Sequence, residues 1–235
     1  MKKYKFFIVG LGSIGQRHIK NLKTLSQDVF AFSYRNKENF LIDGDELKIL
    51  KSIDEGIKLS DGVFICNTTE KHMEIALRAS HLGKHIFVEK PLSNNLLNLK
   101  KLRNNLKAKN IIFNSGFMLR HHPNLIFIKS FLNKKKLGNI YYANASVGQD
   151  LRQWRQNYNY KEGYAARKET GGGVTLDLIH EIDLINWFFG EAELISSILA
   201  FNKELSIETE SIANITMKMK SNVVCNIQLD YLSPF

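Results

Sequence analysis

Two short stretches carry residue types whose spacing suits chemistry. Gly10-Leu11-Gly12-Ser13-Ile14-Gly15 is a G-x-G-x-x-G that follows the apolar run "KFFIV" and opens a helical pattern. In that setting the motif cradles a dinucleotide pyrophosphate. Gly10 permits the tight turn, Gly12 lets the backbone approach the phosphates, and Gly15 lets helix and strand pack closely. The helix start, with Ser13 and Ile14, offers free N–H groups and the positive end of the dipole. The alternative reading is a glycine-rich turn without a ligand. The second stretch is Glu89-Lys90-Pro91, which closes the run "HIFV". Proline confines Lys90 to extended backbone, so the lysine is aimed. A cis Lys90–Pro91 bond is one option for this tertiary amide.

The elements that must hold these residues alternate over about the first 115 positions. "KFFIV", "DVFAF", "GVFI", "HIFV" and "NIIFN" are short strands, apolar on both faces as a covered parallel sheet requires. Between them lie helical stripes. Residues 13–25 align Ile14, His18, Leu22 and Leu25. The next helix has Thr69 as N-cap, Ile75, Ala76, Ala79 and Leu82 inward, and Gly83 as its stop. A further helix is capped by Ser93 and carries Leu96, Leu99, Leu102 and Leu106. This is an α/β, Rossmann-type, doubly wound pattern, in which ligands bind beyond the carboxyl ends of the strands. Cys66-Asn67-Thr68-Thr69 and Glu89-Lys90-Pro91 both stand at such ends. At the end of the second strand, Phe32-Ser33-Tyr34-Arg35 lacks the acid that bonds a ribose 2′-hydroxyl. Ser33 does not repel a 2′-phosphate and Arg35 can pair with one, so the segment favours NADP over NAD. Alternatively, Arg35 is a surface arginine.

After Pro123 the texture changes. "NIYYANASV" reads as a strand, and an aromatic, polar loop follows to about residue 170. "GGGVTLDLIHEIDLINWFFG" reads as one helix entered through glycines. The last third alternates apolar and polar residues, with Asn222 at a hairpin turn. The expectation is a dinucleotide-binding domain over residues 1–120 and a second α+β domain over 121–235 with a mainly antiparallel sheet.

Composition excludes little but narrows much. The 235 residues are 44% hydrophobic and carry a net charge of +10. The lysines are spread along the chain with no nucleic-acid motif, so the charge reads as a basic surface that attracts anionic small molecules. The two cysteines, Cys66 and Cys225, give no disulfide framework and fit a reducing cytoplasm. No apolar stretch reaches membrane-spanning length. His121, His122, His180 and Glu181 match no metal spacing.

"GLGSIGQRH", "EKP" and "GGGVTLDLIHEID", in this order, resemble the glucose–fructose oxidoreductase / inositol dehydrogenase / MocA family, over essentially the whole chain. Further matches are His72, in the helix after Asn67-Thr68-Thr69, and "GFMLRHHP", similar to the family's arginine-containing junction, here with Arg120. The resemblance implies hydride transfer between a nicotinamide and a sugar or cyclitol carbon. It implies Lys90 beside the nicotinamide and the reacting hydroxyl, His180 as proton acceptor or donor, and Asp177 as its acidic companion. Alcohol oxidation releases a proton, which a histidine near neutral pKa can take. A lysine can hold the oxygen as negative charge develops.

Two departures matter. Many members place Asp and His four apart, whereas Asp177 and His180 are three apart. On one helix that still leaves them neighbours. Asp183 is an alternative partner, and Asp177 could instead serve the helix dipole. Members also continue beyond the segment matching "LDYLSPF", so the second domain is expected to lack strands. The loop 148–173 resembles a subgroup found with bacterial surface-sugar biosynthesis. There Trp154, Arg155, Tyr164 and Arg167 could stack on and grip a nucleotide sugar or acidic sugar. The resemblance also implies homo-oligomers formed through the second domain's sheet. The competing reading is a dinucleotide-binding protein without turnover.

Overall fold

Short apolar runs at the start of the chain become five parallel strands. The computed structural model describes residues 2–34, 40–154 and 158–234. Its contacts divide into two units, Met1–Gly116 and Phe117–Phe235.

The first unit runs β1 (Lys5–Val9), α1 (Ser13–Thr24), β2 (Asp28–Phe32), β3 (Phe40–Ile42), β4 (Asp45–Leu47), α2 (Ile53–Leu59), β5 (Gly62–Ile65), α3 (His72–His81), β6 (His85–Val88), α4 (Leu99–Ala108) and β7 (Phe113–Ser115). The parallel sheet has the order β2-β1-β5-β6-β7. From β1 the chain passes to one side as β2 and later to the other as β5. The crevice beyond the end of β1 is therefore the topological switch point where such sheets bind ligands. Alternate side chains enter opposite layers. Phe7 and Val9 join Val63, Ile65, Ile75 and Val88 on one face, and Ile8 joins Leu11, Ile19 and Leu22 on the other.

Helix boundaries differ from the expectation in three places. In α1 the buried residues are Gly15, Ile19 and Leu22, while Leu25 is an exposed C-cap. Thr69 begins a 3-10 turn that leads into α3, whose buried face is Met73, Ile75, Ala76 and Ala79. Leu82 is exposed. Ser93 does not cap a helix. Its Oγ accepts from Asn95 N, and Asn95 Oδ1 accepts from Leu97 N, so local turns hold these N–H groups. Such side-chain turns compete with helix formation. The helix begins only at Leu99, and Leu96 is exposed.

The second unit contains α5 (Pro123–Asn133), β8 (Tyr142–Gly148), α6 (Val174–Asp177), α7 (His180–Phe189), β9 (Ala192–Ala200), β10 (Ile212–Met219) and β11 (Val224–Asp230). Its sheet has the order β8-β11-β10-β9, with β8–β11 parallel and the other pairs antiparallel. Asn222 turns between β10 and β11 at φ 65°. Ala213, Ile215, Met217 and Met219 face the core, and the residues between them face outward. The core also takes Val174, Ile185, Ile227, Leu229 and Tyr231.

The stretch expected as one helix over 174–189 is two. Leu178 leaves helical backbone at φ −94°, ψ 36°. No glycine or proline marks the break. Cys66 and Cys225 are buried free thiols, one in each unit. Among the described residues no helix is long and apolar enough to cross a membrane.

Candidate functional site

The glycine loop has the shape that its motif demands. Gly10 sits at φ 106°, and a Cβ there would meet Cys66 and Asn67 backbone at 2.8 Å. A Cβ on Gly15 would lie 2.0 Å from the Gly10 carbonyl oxygen. By contrast, a Cβ on Gly12 would meet nothing within 4 Å. Gly12 and Ser13 are exposed, Ile14 is partly buried, and the first turn of α1 holds no acid. Two glycines are thus fixed by packing, and the third faces open space at a helix N-terminus. That arrangement fits a dinucleotide pyrophosphate.

The neighbouring strand ends are bound into one rim. Cys66 N donates to Val9 O at 2.8 Å, Glu89 N to Ile65 O at 2.9 Å, and Gly116 N to Val88 O at 2.8 Å. His72 spans two of the loops. Its Nδ1 lies 2.8 Å from Pro91 O and its Nε2 3.0 Å from Asn67 O. Burial pushes the His72 pKa down, and the two carbonyl oxygens partly oppose that shift. Among the described residues, neither polar atom of the Asn67 amide has a partner, although both are buried. An amide left so is a ready donor and acceptor for a bound group. Thr68 Oγ1 donates to Glu70 Oε1 at 2.6 Å. The Lys90–Pro91 bond is cis, Lys90 is partly buried, and its N–H donates to Glu89 Oε2 at 3.3 Å. Ser33 is partly buried just past β2. Arg35 lies outside the described residues.

In the second unit, Asp177 ends α6 and His180 opens α7. Asp177 is 6% exposed. Its Oδ1 accepts the Tyr164 hydroxyl at 2.6 Å and its Oδ2 the Tyr231 hydroxyl at 3.2 Å. Burial first, and then the Asp177 charge, pushes the Tyr231 phenol above its ordinary pKa. The carboxylate that serves the α6 N-terminus is Glu210, which accepts from Thr175 N at 3.2 Å. Gly173, at φ 110°, leaves room for it, since a Cβ there would meet the Glu210 carboxylate at 2.5 Å. Asp177 also stands in the single turn of α6.

The other expected residues fall into two groups. Arg120 and Asp183 bond each other, with Nε to Oδ2 at 2.8 Å and Nη2 to Oδ1 at 2.6 Å. Such bidentate pairs fix both partners. The Phe117 ring lies against both the Arg120 guanidinium and, edge-on, the His180 imidazole. Trp154 and Tyr164 line a cavity of about 30 Å³ with Leu151, Tyr158, Tyr160 and Ala165. Arg167 is exposed, and Arg155 lies outside the described residues. The residue pattern alone did not reveal Tyr231, Glu210 or the His18 contact to Glu89. The pairs Asp177–Tyr231 and His18–Glu89 lie 54 and 71 positions apart, beyond any local signal.

Two family models match the chain. One, described as an oxidoreductase family with an NAD-binding Rossmann fold, covers residues 4–117; the other, the GFO/IDH/MocA C-terminal domain, covers residues 126–235. Glucose-6-phosphate 3-dehydrogenase of Bacillus subtilis is 24% identical over 95% of this chain and 66% of its own length. Myo-inositol 2-dehydrogenase of Thermotoga maritima is 26% identical over 78% of this chain and 54% of its own. The chain thus spans between half and two thirds of these relatives. Scyllo-inositol dehydrogenase of Lactobacillus casei, solved with NAD(H) and scyllo-inositol, superposes with a TM-score of 0.80 at 22% identity, over 97% of this chain and 70% of that one. That likeness establishes the fold. With both halves matched, the chain belongs to the Gfo/Idh/MocA family.

Proposed function

We propose that this protein is an NAD(P)-dependent oxidoreductase that moves a hydride between a nicotinamide and a CH–OH carbon of a sugar, either a nucleotide sugar or an acidic sugar. The observation that carries the reading is the open, acid-free N-terminus of α1 at Gly12, on the same rim of the sheet as Lys90. The bound dinucleotide supplies the hydride acceptor or donor. Gly10, Gly12, Ser13, Ile14 and Gly15 hold its pyrophosphate, while Ser33 and Arg35 meet its ribose. Asn67, Thr68, His72, Glu89 and Lys90 line its nicotinamide half. Lys90 holds the reacting oxygen, His180 takes or gives the proton, and Asp177 orients it. Arg120, Trp154, Arg155, Tyr164, Arg167 and Asp183 serve the substrate. The relatives' names, a sugar-phosphate dehydrogenase and inositol dehydrogenases, support a polyhydroxylated substrate. The aromatic and basic loop favours an anionic one. Ser33 in place of an acid favours NADP. We also assign the protein to a reducing cytoplasm, on its two free thiols, and to a homo-oligomer formed through the second unit's sheet.

The test is binding of NADPH and NADH to the purified chain by fluorescence, then turnover at nicotinamide absorbance with inositols, sugar phosphates and nucleotide sugars. Lys90→Ala and His180→Ala are each expected to lower kcat by about 10²–10⁴-fold. Unchanged turnover in either would overturn that residue's role, and failure to bind either dinucleotide would overturn the whole reading. Ser33→Asp should shift preference towards NADH. A second reading is dinucleotide binding without turnover. Tight binding with silence across the whole panel would select it.

A further inference from the structure

The Glu89 carboxylate is held on several sides within the first unit. His18, on α1, places Nε2 at 2.7 Å from Glu89 Oε1, with both side chains largely shielded. The other oxygen, Oε2, accepts the Lys90 N–H at 3.3 Å. Gly116 leaves the space that this oxygen fills, because a Cβ there would meet it at 2.6 Å. The His18 ring is itself wedged against Phe64 and Phe87, at 5.3 and 4.9 Å between centroids. Those two rings stack on each other at 4.9 Å across β5 and β6. A helix that starts at the glycine loop thereby grips the backbone from which Lys90 projects.

We infer that His18 is a positioning residue, which fixes Glu89 and through it the aim of Lys90 from the helix that carries the glycine loop. The inference rests on the oxidoreductase reading for its consequence in turnover, but the clamp itself can be tested without turnover. A shielded imidazole that donates to a carboxylate loses that hold when replaced by an apolar side chain. Glutamine, whose amide N–H reaches a similar place, keeps it. Small misplacements of a reacting group cost large factors in rate.

The experiment compares wild type, His18→Leu, His18→Gln and Glu89→Gln in the full chain by amide hydrogen exchange over residues 88–92, dinucleotide binding and steady-state kinetics. In His18→Leu, exchange over 88–92 is expected to accelerate about tenfold or more. kcat should fall about 10–100-fold while KM and the dinucleotide dissociation constant move less than about threefold. His18→Gln should return exchange and kcat to within about threefold of wild type. Glu89→Gln, which keeps the shape but weakens the bond, should fall between. Unchanged exchange over 88–92 in a folded His18→Leu would overturn the clamp, as would a glutamine variant no better than leucine. Faster exchange with wild-type turnover absent would sustain the clamp and overturn the oxidoreductase reading instead.

Discussion

In β1 of the first unit, Phe7 and Ile8 point to opposite faces and both are 0% exposed. In β10 of the second, Ile215 is buried and its neighbour Thr216 is exposed. Both strands are central in their sheets. The parallel sheet is roofed on both sides, so its side chains are spent on packing. Only its strand ends remain for chemistry, and Gly12, Asn67 and Lys90 stand there. The second sheet is roofed on one side. Of its candidate residues, Asp177, His180 and Asp183 come from α6 and α7, which pack on the covered face.

The largest expected effects test that contrast directly. Phe7→Ala should destabilise the first unit by about 4 kcal/mol and Ile8→Ala by about 3 kcal/mol, because each leaves a cavity in a separate layer. Ile215→Ala should cost about 3 kcal/mol and Thr216→Ala less than about 0.5 kcal/mol. Urea titration followed by circular dichroism reports both units. Tryptophan fluorescence reports the second alone, since Trp154 and Trp187 both lie there. Equal costs at Ile215 and Thr216 would break the contrast.

A middle-sized effect concerns the two carboxylates. Glu89 is held by an imidazole and Asp177 by two phenols. Tyr231→Phe keeps the ring but strips one donor from a buried carboxylate, at a cost of about 2 kcal/mol to the second unit. Tyr164 is only partly buried, so water can replace its hydroxyl and Tyr164→Phe should cost less. If Tyr164→Phe proves the more damaging, the weight of the Asp177 site lies on its open side.

A smaller effect is a pH dependence confined to the first unit. His72 has its pKa lowered below 6.5, chiefly by burial. Below pH 6.5 the unfolded chain binds a proton that the folded unit refuses. Stability must therefore fall as pH drops through that window, and not as it rises. His72→Gln should flatten this part of the profile, read as the difference from wild type between pH 6.5 and the folded-state value. A parallel slope in the variant would assign the effect to other groups.

Much of this was legible along the chain, and the reasons are physical. Apolar runs of four or five residues marked β1, β2, β5 and β6, and strict alternation marked β10 and β11, because burial imposes both patterns. Gly10 and Gly15 are readable because a Cβ at either would clash with backbone, whereas Gly12, in extended backbone beside open space, is readable through the motif alone. The β3–β4 hairpin carries a signal of the same kind in Asp43-Gly44, a two-residue turn with both φ positive. The break at Leu178, the phenols on Asp177 and the His18 clamp were not readable. Asp177–Tyr231 and His18–Glu89 join residues 54 and 71 positions apart, and no local pattern encodes them.

The smallest expected effect lies on β9, where the one-sided sheet runs out of cover. Ile195 and Leu199 pair with Met217 and Ala213, whose side chains are buried, yet both are themselves exposed. The covering helices stop short of this edge strand. Ile198 lies on the other face, opposite Asn214, and is 71% exposed. Truncating it removes little buried area, so Ile198→Ser should change the stability of the second unit by less than about 0.5 kcal/mol. If copies of the chain associate through this face, the same substitution should lower the mass seen by light scattering at a given concentration, because exposed apolar patches drive association. A stability loss comparable to Ile215→Ala would mean that the outward face is covered within a single copy, and the distinction between the two sheets would fail.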